Sequence, residues 1–172
     1  MKQLPLCLTA VICFSLLNIA CNDDESTECR NLFGAQQYSE ALPFCEKACN
    51  QNSGDGCFFL GFLYYIDQGY QQAKTYFEKA CNLNVADGCL NIGNYYYNGY
   101  GVRQDYQQAK TYIEKACNLK SERGCFNLGV CYEKGDGVRQ NFQTAKEYYG
   151  KACDLGHQLS CDEYRELNEK GY

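Results

Sequence analysis

Residues 71–83 read QQAKTYFEKACNL and residues 107–119 read QQAKTYIEKACNL, so the two stretches differ only where Ile113 replaces Phe77. Weaker copies of the same pattern occupy residues 143–155 and 39–51. Self-similarity at a fixed period is the sequence signature of a repeat protein. In such a protein each unit contacts only its neighbours, so the sequence predicts an elongated array without a single large core.

The repeat has a period of 36 residues, with one shortened unit. Cys81, Cys117 and Cys153 follow one another at that interval, whereas Cys49 lies only 32 residues before Cys81. The missing residues fall in the connection around Gln68, which is shorter than its counterparts at residues 98–104 and 134–140. Glycines mark this connection in the two longer units, which indicates a turn between two elements of one unit.

Each unit contains two helical patterns. The first is a stripe at helical spacing that is repeated in three units: Cys57, Leu60, Gly61, Tyr64; Cys89, Ile92, Gly93, Tyr96; and Cys125, Leu128, Gly129, Tyr132. The second helix begins after Asp105 or Asn141, residue types that cap helix N-termini well. Its predicted buried positions are Tyr106, Ala109, Tyr112, Ile113 and Ala116. The sequence therefore predicts an all-α array of helix-turn-helix units.

Four cysteine pairs share a separation of eight residues. In a continuous helix that separation corresponds to roughly 12 Å at 1.5 Å per residue, which exceeds the ~7 Å between Cα atoms that a disulfide allows. The chain must therefore turn within each pair, and each bridge would join the end of one unit to the start of the next. The predicted disulfides are Cys49–Cys57, Cys81–Cys89, Cys117–Cys125 and Cys153–Cys161.

The remaining cysteines leave alternatives open. Cys45 occupies the position of Phe77, so a bridge from Cys29 would cross the first, degenerate helix pair. Cys131 is then either a free thiol packed as a small nonpolar residue or a partner of an unlipidated Cys21.

The content of 14 cysteines in 172 residues favours a disulfide scaffold in an oxidising compartment. Residues 1–21 are predicted to be an export signal, because Lys2 precedes an apolar run that ends in Asn18-Ile19-Ala20-Cys21. Cys21 is a candidate for lipidation as in bacterial lipoproteins; ordinary cleavage near Ala20 and an uncleaved anchor are the alternatives. Residues 22–37 are then a linker or cap, 38–167 the repeat array and 168–172 a tail. We expect a secreted or periplasmic protein that meets a membrane only through such an anchor.

Several kinds of site are disfavoured by composition. The net charge of -5 becomes -6 without Lys2, and an acidic chain lacks the basic surface that nucleic-acid binding needs. His157 is the one histidine and is interpreted as an exposed turn residue, and no Cys-x2-Cys pair occurs, so we expect no metal ion. The Gly-x-Gly segments recur in the unit turn without a preceding strand, so we expect no phosphate-binding loop and no cofactor.

The repeated residues resemble the SEL-one-like repeat, a relative of the tetratricopeptide repeat. The motif residues are Ile92-Gly93 to Tyr96, Gly99 to Val102 and Lys115-Ala116. With its Cys-x7-Cys pairs, the chain resembles the Helicobacter cysteine-rich proteins. The resemblance implies a right-handed α-solenoid and export. It also implies an activity, because members of that group are described as penicillin-binding proteins or β-lactamases.

Catalytic residues for such an activity are not identifiable. A serine β-lactamase needs a Ser-x-x-Lys pair, and none of Ser26, Ser39, Ser53, Ser121 and Ser160 has Lys three positions on. A zinc enzyme would need several histidines. The hydrolase therefore stays an alternative that rests on resemblance alone.

A row of asparagines is the strongest candidate binding surface. Asn91, Asn94 and Asn98 share one face of a first helix, and first helices line the concave face in the family that the chain resembles. Amide side chains carry both a donor and an acceptor for a peptide backbone. The predicted ligand-binding residues are Asn91, Asn94, Asn98, Asn127, Tyr97 and Phe62. We expect a peptide, a protein or a cell-wall fragment related to peptidoglycan or β-lactams; a secreted host-interaction role and a merely solvated polar surface are the alternatives.

Overall fold

The computed structural model describes residues 25–172, in which every regular element is an α-helix. The predicted signal peptide and Cys21 lie outside these residues. The helices are α1 (25–34), α2 (Tyr38–Asn50), α3 (Gly54–Ile66), α4 (Tyr70–Asn82), α5 (Ala86–Asn98), α6 (Tyr106–Asn118), α7 (Glu122–Lys134), α8 (Phe142–Asp154) and α9 (Gln158–Glu169).

The helices stack as pairs along the chain, which confirms the predicted solenoid. From α2 onward each helix packs against the next, and α5 also contacts α7, the first helix of the following unit. Four units result, α1/α2, α3/α4, α5/α6 and α7/α8, and α9 is the last helix of residues 25–172. Residues 25–34, within the segment predicted to be a linker or cap, thus form the first helix of the first pair.

Local sequence sets the helix ends. The side chains of Asp105 and Asn141 accept the backbone N–H groups of Gln108 and Thr144, as the capping prediction requires. Ser121 caps α7 in the same way through Gly124. α5 and α7 each end at a glycine in the left-handed conformation, which satisfies the last carbonyl groups of the helix.

The core lies between the two helices of each unit and continues across the junctions. Its largest buried side chains include Phe77, Ile92, Ile113, Leu128 and Tyr149. Glycines in the first helices let the second helices approach closely: a Cβ at Gly93 would lie 2.7 Å from Ile113 Cγ1. Close packing of this kind makes the spacing between α5 and α6 sensitive to any added methyl group.

Five disulfides connect the described helices. Four join the second helix of one unit to the first helix of the next, with Cα–Cα distances between 4.4 and 4.8 Å: Cys49–Cys57, Cys81–Cys89, Cys117–Cys125 and Cys153–Cys161. The fifth, Cys29–Cys45, joins α1 to α2. Cys131 is a buried free thiol.

Lysines add a second link between successive units. Lys79 Nζ donates to the carbonyl oxygen of Cys49 at 2.7 Å, and Lys115 Nζ donates to that of Cys81 at 2.8 Å. Both carbonyls lie at the end of the preceding second helix, where the helix dipole favours a positive charge. Each lysine therefore stabilises the junction that a disulfide also crosses.

Two predicted positions differ in the structure. Tyr106 is 38% exposed instead of buried, because its ring stands at the start of α6 and packs edge-on against Tyr97. His157 lies in the predicted turn, but it is half-buried, since its ring packs on Phe126 and its Nδ1 lies 2.8 Å from Ser160 Oγ.

Candidate functional site

A cavity of about 520 Å³ lies between the first helices of the third and fourth units. We call it the first-helix groove and define it by its lining residues: Tyr65, Asn91, Asn94, Tyr95, Tyr97, Asn98, Tyr100, Ile113, Phe126, Asn127, Val130, Cys131 and Lys134. Its volume is within the range of pockets that bind small molecules or peptide side chains.

Five of the six predicted ligand-binding residues line this groove: Asn91, Asn94, Asn98, Asn127 and Tyr97. The sixth, Phe62, does not. Its ring packs instead against Phe33 of α1 and against Phe58 and Tyr65 of its own helix. The helical register that brings the asparagines together thus places Phe62 in an aromatic cluster nearer the N-terminus.

The asparagine amides fall into two classes. Asn91 Nδ2 donates to the carbonyl oxygen of Asp87 at 2.8 Å, and Asn98 Nδ2 donates to that of Asn94 at 2.9 Å. These bonds orient the two amides and leave their side-chain oxygens as acceptors. The side chains of Asn94 and Asn127, both half-buried, form no hydrogen bond within residues 25–172. Both can therefore donate to and accept from a bound molecule.

Tyr97 is held in place across the unit boundary. Its hydroxyl donates to Asp136 Oδ2 at 2.6 Å, from α5 to the turn that follows α7. This hydrogen bond, together with burial, raises the pKa of Tyr97 above its usual value.

The floor of the groove is nonpolar. Ile113 and Cys131 are 1% and 2% exposed, and Phe126 and Val130 lie beside them. Burial raises the pKa of the Cys131 thiol to about 11, so the sulfur is protonated at neutral pH. Cys131 therefore contributes a small nonpolar surface and not a nucleophile.

Tyr95 brings an unusual polar atom to the groove. The residue is 2% exposed, and its hydroxyl is buried without a hydrogen-bond partner within the described part of the chain. Burial raises its pKa above the usual tyrosine value. Buried hydroxyls are nearly always paired, so this unpaired hydroxyl is an exception among the residues beside the groove.

Lys134 is the only charged residue that lines the groove. It is exposed, and it forms no ion pair within residues 25–172. The groove thus combines amide groups, tyrosine rings, a nonpolar floor and one positive charge at its edge.

Sequence reasoning did not identify Tyr95, Cys131, Ile113 or Phe126 as groove residues. Tyr95 and Cys131 occupy equivalent positions in successive units, 36 residues apart. The change from a large to a small side chain at this position was the available sequence signal for the groove.

No group of three or more His, Cys, Asp and Glu side chains within 25–172 is arranged to hold a metal ion. In the same part of the chain, no helix has both the length and the apolar character needed to cross a membrane.

Comparison with known proteins identifies related chains. The family model described as Sel1 repeat matches residues 54–85, 86–121 and 123–157. Among solved structures, Helicobacter pylori cysteine rich protein B is 36% identical, with 73% of this chain and 93% of that chain covered and a TM-score of 0.62. No curated protein matches the chain.

Two further structures extend the likeness. A protective antigen of uropathogenic Escherichia coli strains with an SLR fold is 26% identical, covering 78% of this chain and 30% of its own, with a TM-score of 0.72. A Sel1 repeat protein from Oxalobacter formigenes is 24% identical, with 86% and 62% covered and a TM-score of 0.76. This chain therefore spans less than two thirds of either protein, and the second likeness concerns the fold alone.

Proposed function

Because this chain belongs to the Sel1 repeat family, we propose that it is an exported binding module that holds an extended peptide segment of another protein in the first-helix groove. Sel1 repeat solenoids typically take part in protein interactions. The groove supplies the chemistry that peptide recognition needs, since amides that donate and accept hydrogen bonds stand above a nonpolar floor.

The unpaired amides of Asn94 and Asn127 are the observation that carries this proposal. A peptide backbone offers an N–H and a C=O at every residue, and two amides on adjacent first helices can hold it at two points. Both amides belong to the lining of the cavity, where a bound backbone can reach them.

The test compares peptide capture by the wild-type protein and by the Asn94→Ala/Asn127→Ala double variant. Each lost hydrogen bond should cost about 1 kcal/mol, so the double variant is expected to bind a captured peptide roughly 30-fold more weakly. Asn118→Ala is the matched control, because Asn118 is exposed at the end of α6, outside the groove. Equal affinity of the double variant and the control would contradict a role for the groove.

Export is proposed from the disulfides and the apolar N-terminal segment. Five bridges in residues 25–172 require an oxidising compartment to form and persist. Maleimide labelling of whole cells without reductant should leave these ten cysteines unmodified. Extensive labelling before reduction would show that the chain stays in a reducing compartment.

Hydrolysis of β-lactams is not proposed for the groove. The thiol of Cys131 is held protonated by burial, and activation of such a nucleophile needs an adjacent base. The groove lining contains no histidine and no carboxylate.

A further inference from the structure

The repeat register shows that Cys131 stands where other units have a large side chain. The equivalent residue is Tyr95 in the third unit and Leu63 in the shortened second unit. All three positions are buried, with exposures of 2%, 2% and 7%. Of the second, third and fourth units, only the fourth therefore has a small residue at this buried position.

Tyr95 shows what a large side chain does at this position. Its ring packs against Phe77 at 5.8 Å, Tyr65 at 6.3 Å and Tyr100 at 6.0 Å between centroids, and so fills the junction between the second and third units. Cys131 has too short a side chain to fill the next junction in the same way. There the equivalents of Phe77 and Tyr65 are Ile113 and Tyr97, and both line the open groove.

We propose that Cys131 is a specificity-determining residue: its small side chain opens a nonpolar subsite that accepts one nonpolar side chain of the peptide bound in the groove. This inference rests on the proposed peptide-binding function. The subsite is formed by Ile113, Phe126, Val130 and Cys131, and burying a side chain of leucine size there supplies affinity that the amides alone cannot.

The polar groups around the subsite select a polypeptide as the occupant. Asn94 and Asn127, both half-buried, offer unpaired amides beside it. A backbone running past the subsite can form hydrogen bonds with both amides, while its side chains alternate between the floor and the solvent. Lys134 follows Cys131 by one helical turn and is the sole charge of the lining, so an acidic residue close to the nonpolar one is favoured.

The probe for this subsite is a synthetic 12-residue peptide. It is selected from a random library displayed on phage, by panning on the disulfide-bonded wild-type protein with counter-selection on the Asn94→Ala/Asn127→Ala variant. Its dissociation constant is then measured by fluorescence anisotropy on wild-type protein and on Cys131→Tyr, which restores the residue of the preceding unit. Cys131→Leu, which copies the side chain of Leu63 in the second unit, is a less bulky second variant, and Cys131→Ala keeps the subsite open.

We expect Cys131→Tyr and Cys131→Leu to weaken binding at least tenfold, equivalent to about 1.4 kcal/mol, and Cys131→Ala to bind within threefold of wild type. Truncating the critical nonpolar residue of the peptide to alanine should weaken binding to wild type but cause no further loss with Cys131→Leu. Thermal melts and circular dichroism establish that each variant is folded.

Different failures have different meanings. A peptide that depends on Asn94 and Asn127 but binds Cys131→Tyr and Cys131→Leu within twofold of wild type would overturn the subsite and leave the binding function standing. If panning yields no peptide that distinguishes wild type from the asparagine variant, both the binding function and the subsite are overturned.

Discussion

At the scale of single residues, Tyr97 has two roles in the groove. It lines the cavity, and its hydrogen bond to Asp136 ties the third unit to the turn of the fourth. A phenol that donates to a carboxylate must keep its proton to make the bond. The contribution of this contact to stability is therefore lost at alkaline pH.

Tyr97→Phe should lower the free energy of unfolding by about 1 kcal/mol at pH 7 to 9, the usual worth of a part-buried hydrogen bond. The pKa of Tyr97 is raised in the folded protein. The hydrogen bond therefore contributes its full stability below about pH 10, the pKa of tyrosine in the unfolded chain, and this contribution is lost as the pH rises above that value. Urea unfolding of wild type and variant at pH 7, 9 and 10.5 measures the difference. Tyr164→Phe, which removes a hydroxyl without a hydrogen-bond partner in residues 25–172, is the control. A difference that grows above pH 10 would contradict this assignment.

At the residue level, the sequence predicted which side chains share a helix face, because that follows from their spacing. It did not predict the cavity between the helices. The common face of Asn91, Asn94 and Asn98 follows from helical periodicity. The cavity beneath them does not, because it results from one small side chain, Cys131, in a column of larger ones. Tyr106 was wrongly placed in the core because periodicity cannot distinguish a buried ring from one that packs at a helix end.

At the scale of elements, the turns that follow α5 and α7 pack onto the preceding unit. Gly137 has φ of +70°, and a Cβ there would overlap the carbonyl oxygen of Tyr106. Gly135, in the same turn, has φ of +84°, but a Cβ there would meet its nearest neighbour at an ordinary 3.4 Å. At both positions a residue other than glycine would have a strained backbone. Only at Gly137 would its side chain also overlap a neighbouring unit.

Gly135→Ala should therefore cost about 1 kcal/mol, the strain of a left-handed alanine. Gly137→Ala should cost about 3 kcal/mol, because the turn must also move away from α6. Denaturant melts of both variants provide the comparison. Equal losses would show that the turn of the fourth unit does not rest on Tyr106.

The junctions between units were predictable because a disulfide can bridge only a short distance between Cα atoms. Two cysteines eight residues apart cannot be bridged within one helix, so the helix had to end between them. α4 ends at Asn82 and α5 begins at Ala86, within the predicted turn. The lysine links from Lys79 and Lys115 were not predicted, since a lysine on a helix surface carries no sequence signal for a carbonyl partner in another unit.

At the scale of the whole molecule, stability comes from contacts between neighbouring units. Successive helices supply almost all of the packing, so a central unit is supported on both sides and a terminal unit on one. Loss of a bridge should therefore have an effect that depends on its position.

Replacing Cys81 and Cys89 by alanine should destabilise the protein by about 2 to 3 kcal/mol, from the loop-closure entropy of a short loop, and should lower hydrogen-exchange protection in the units on both sides. The same change at Cys153 and Cys161 should loosen chiefly α9 and leave α3 to α6 protected. Hydrogen exchange followed by mass spectrometry distinguishes the two patterns. Uniform loss of protection in both variants would instead indicate that the array unfolds as a single cooperative unit.

The near-identity of α4 and α6 has a consequence for how such a chain changes length over generations. Every link of a unit, whether a disulfide, a lysine bond or a packed turn, reaches only to an adjacent unit. An in-frame duplication or loss of one 36-residue segment between the two matching stretches would therefore keep every junction intact. Recombination at these stretches can yield longer or shorter foldable proteins, and each added segment would extend the row of first helices by one.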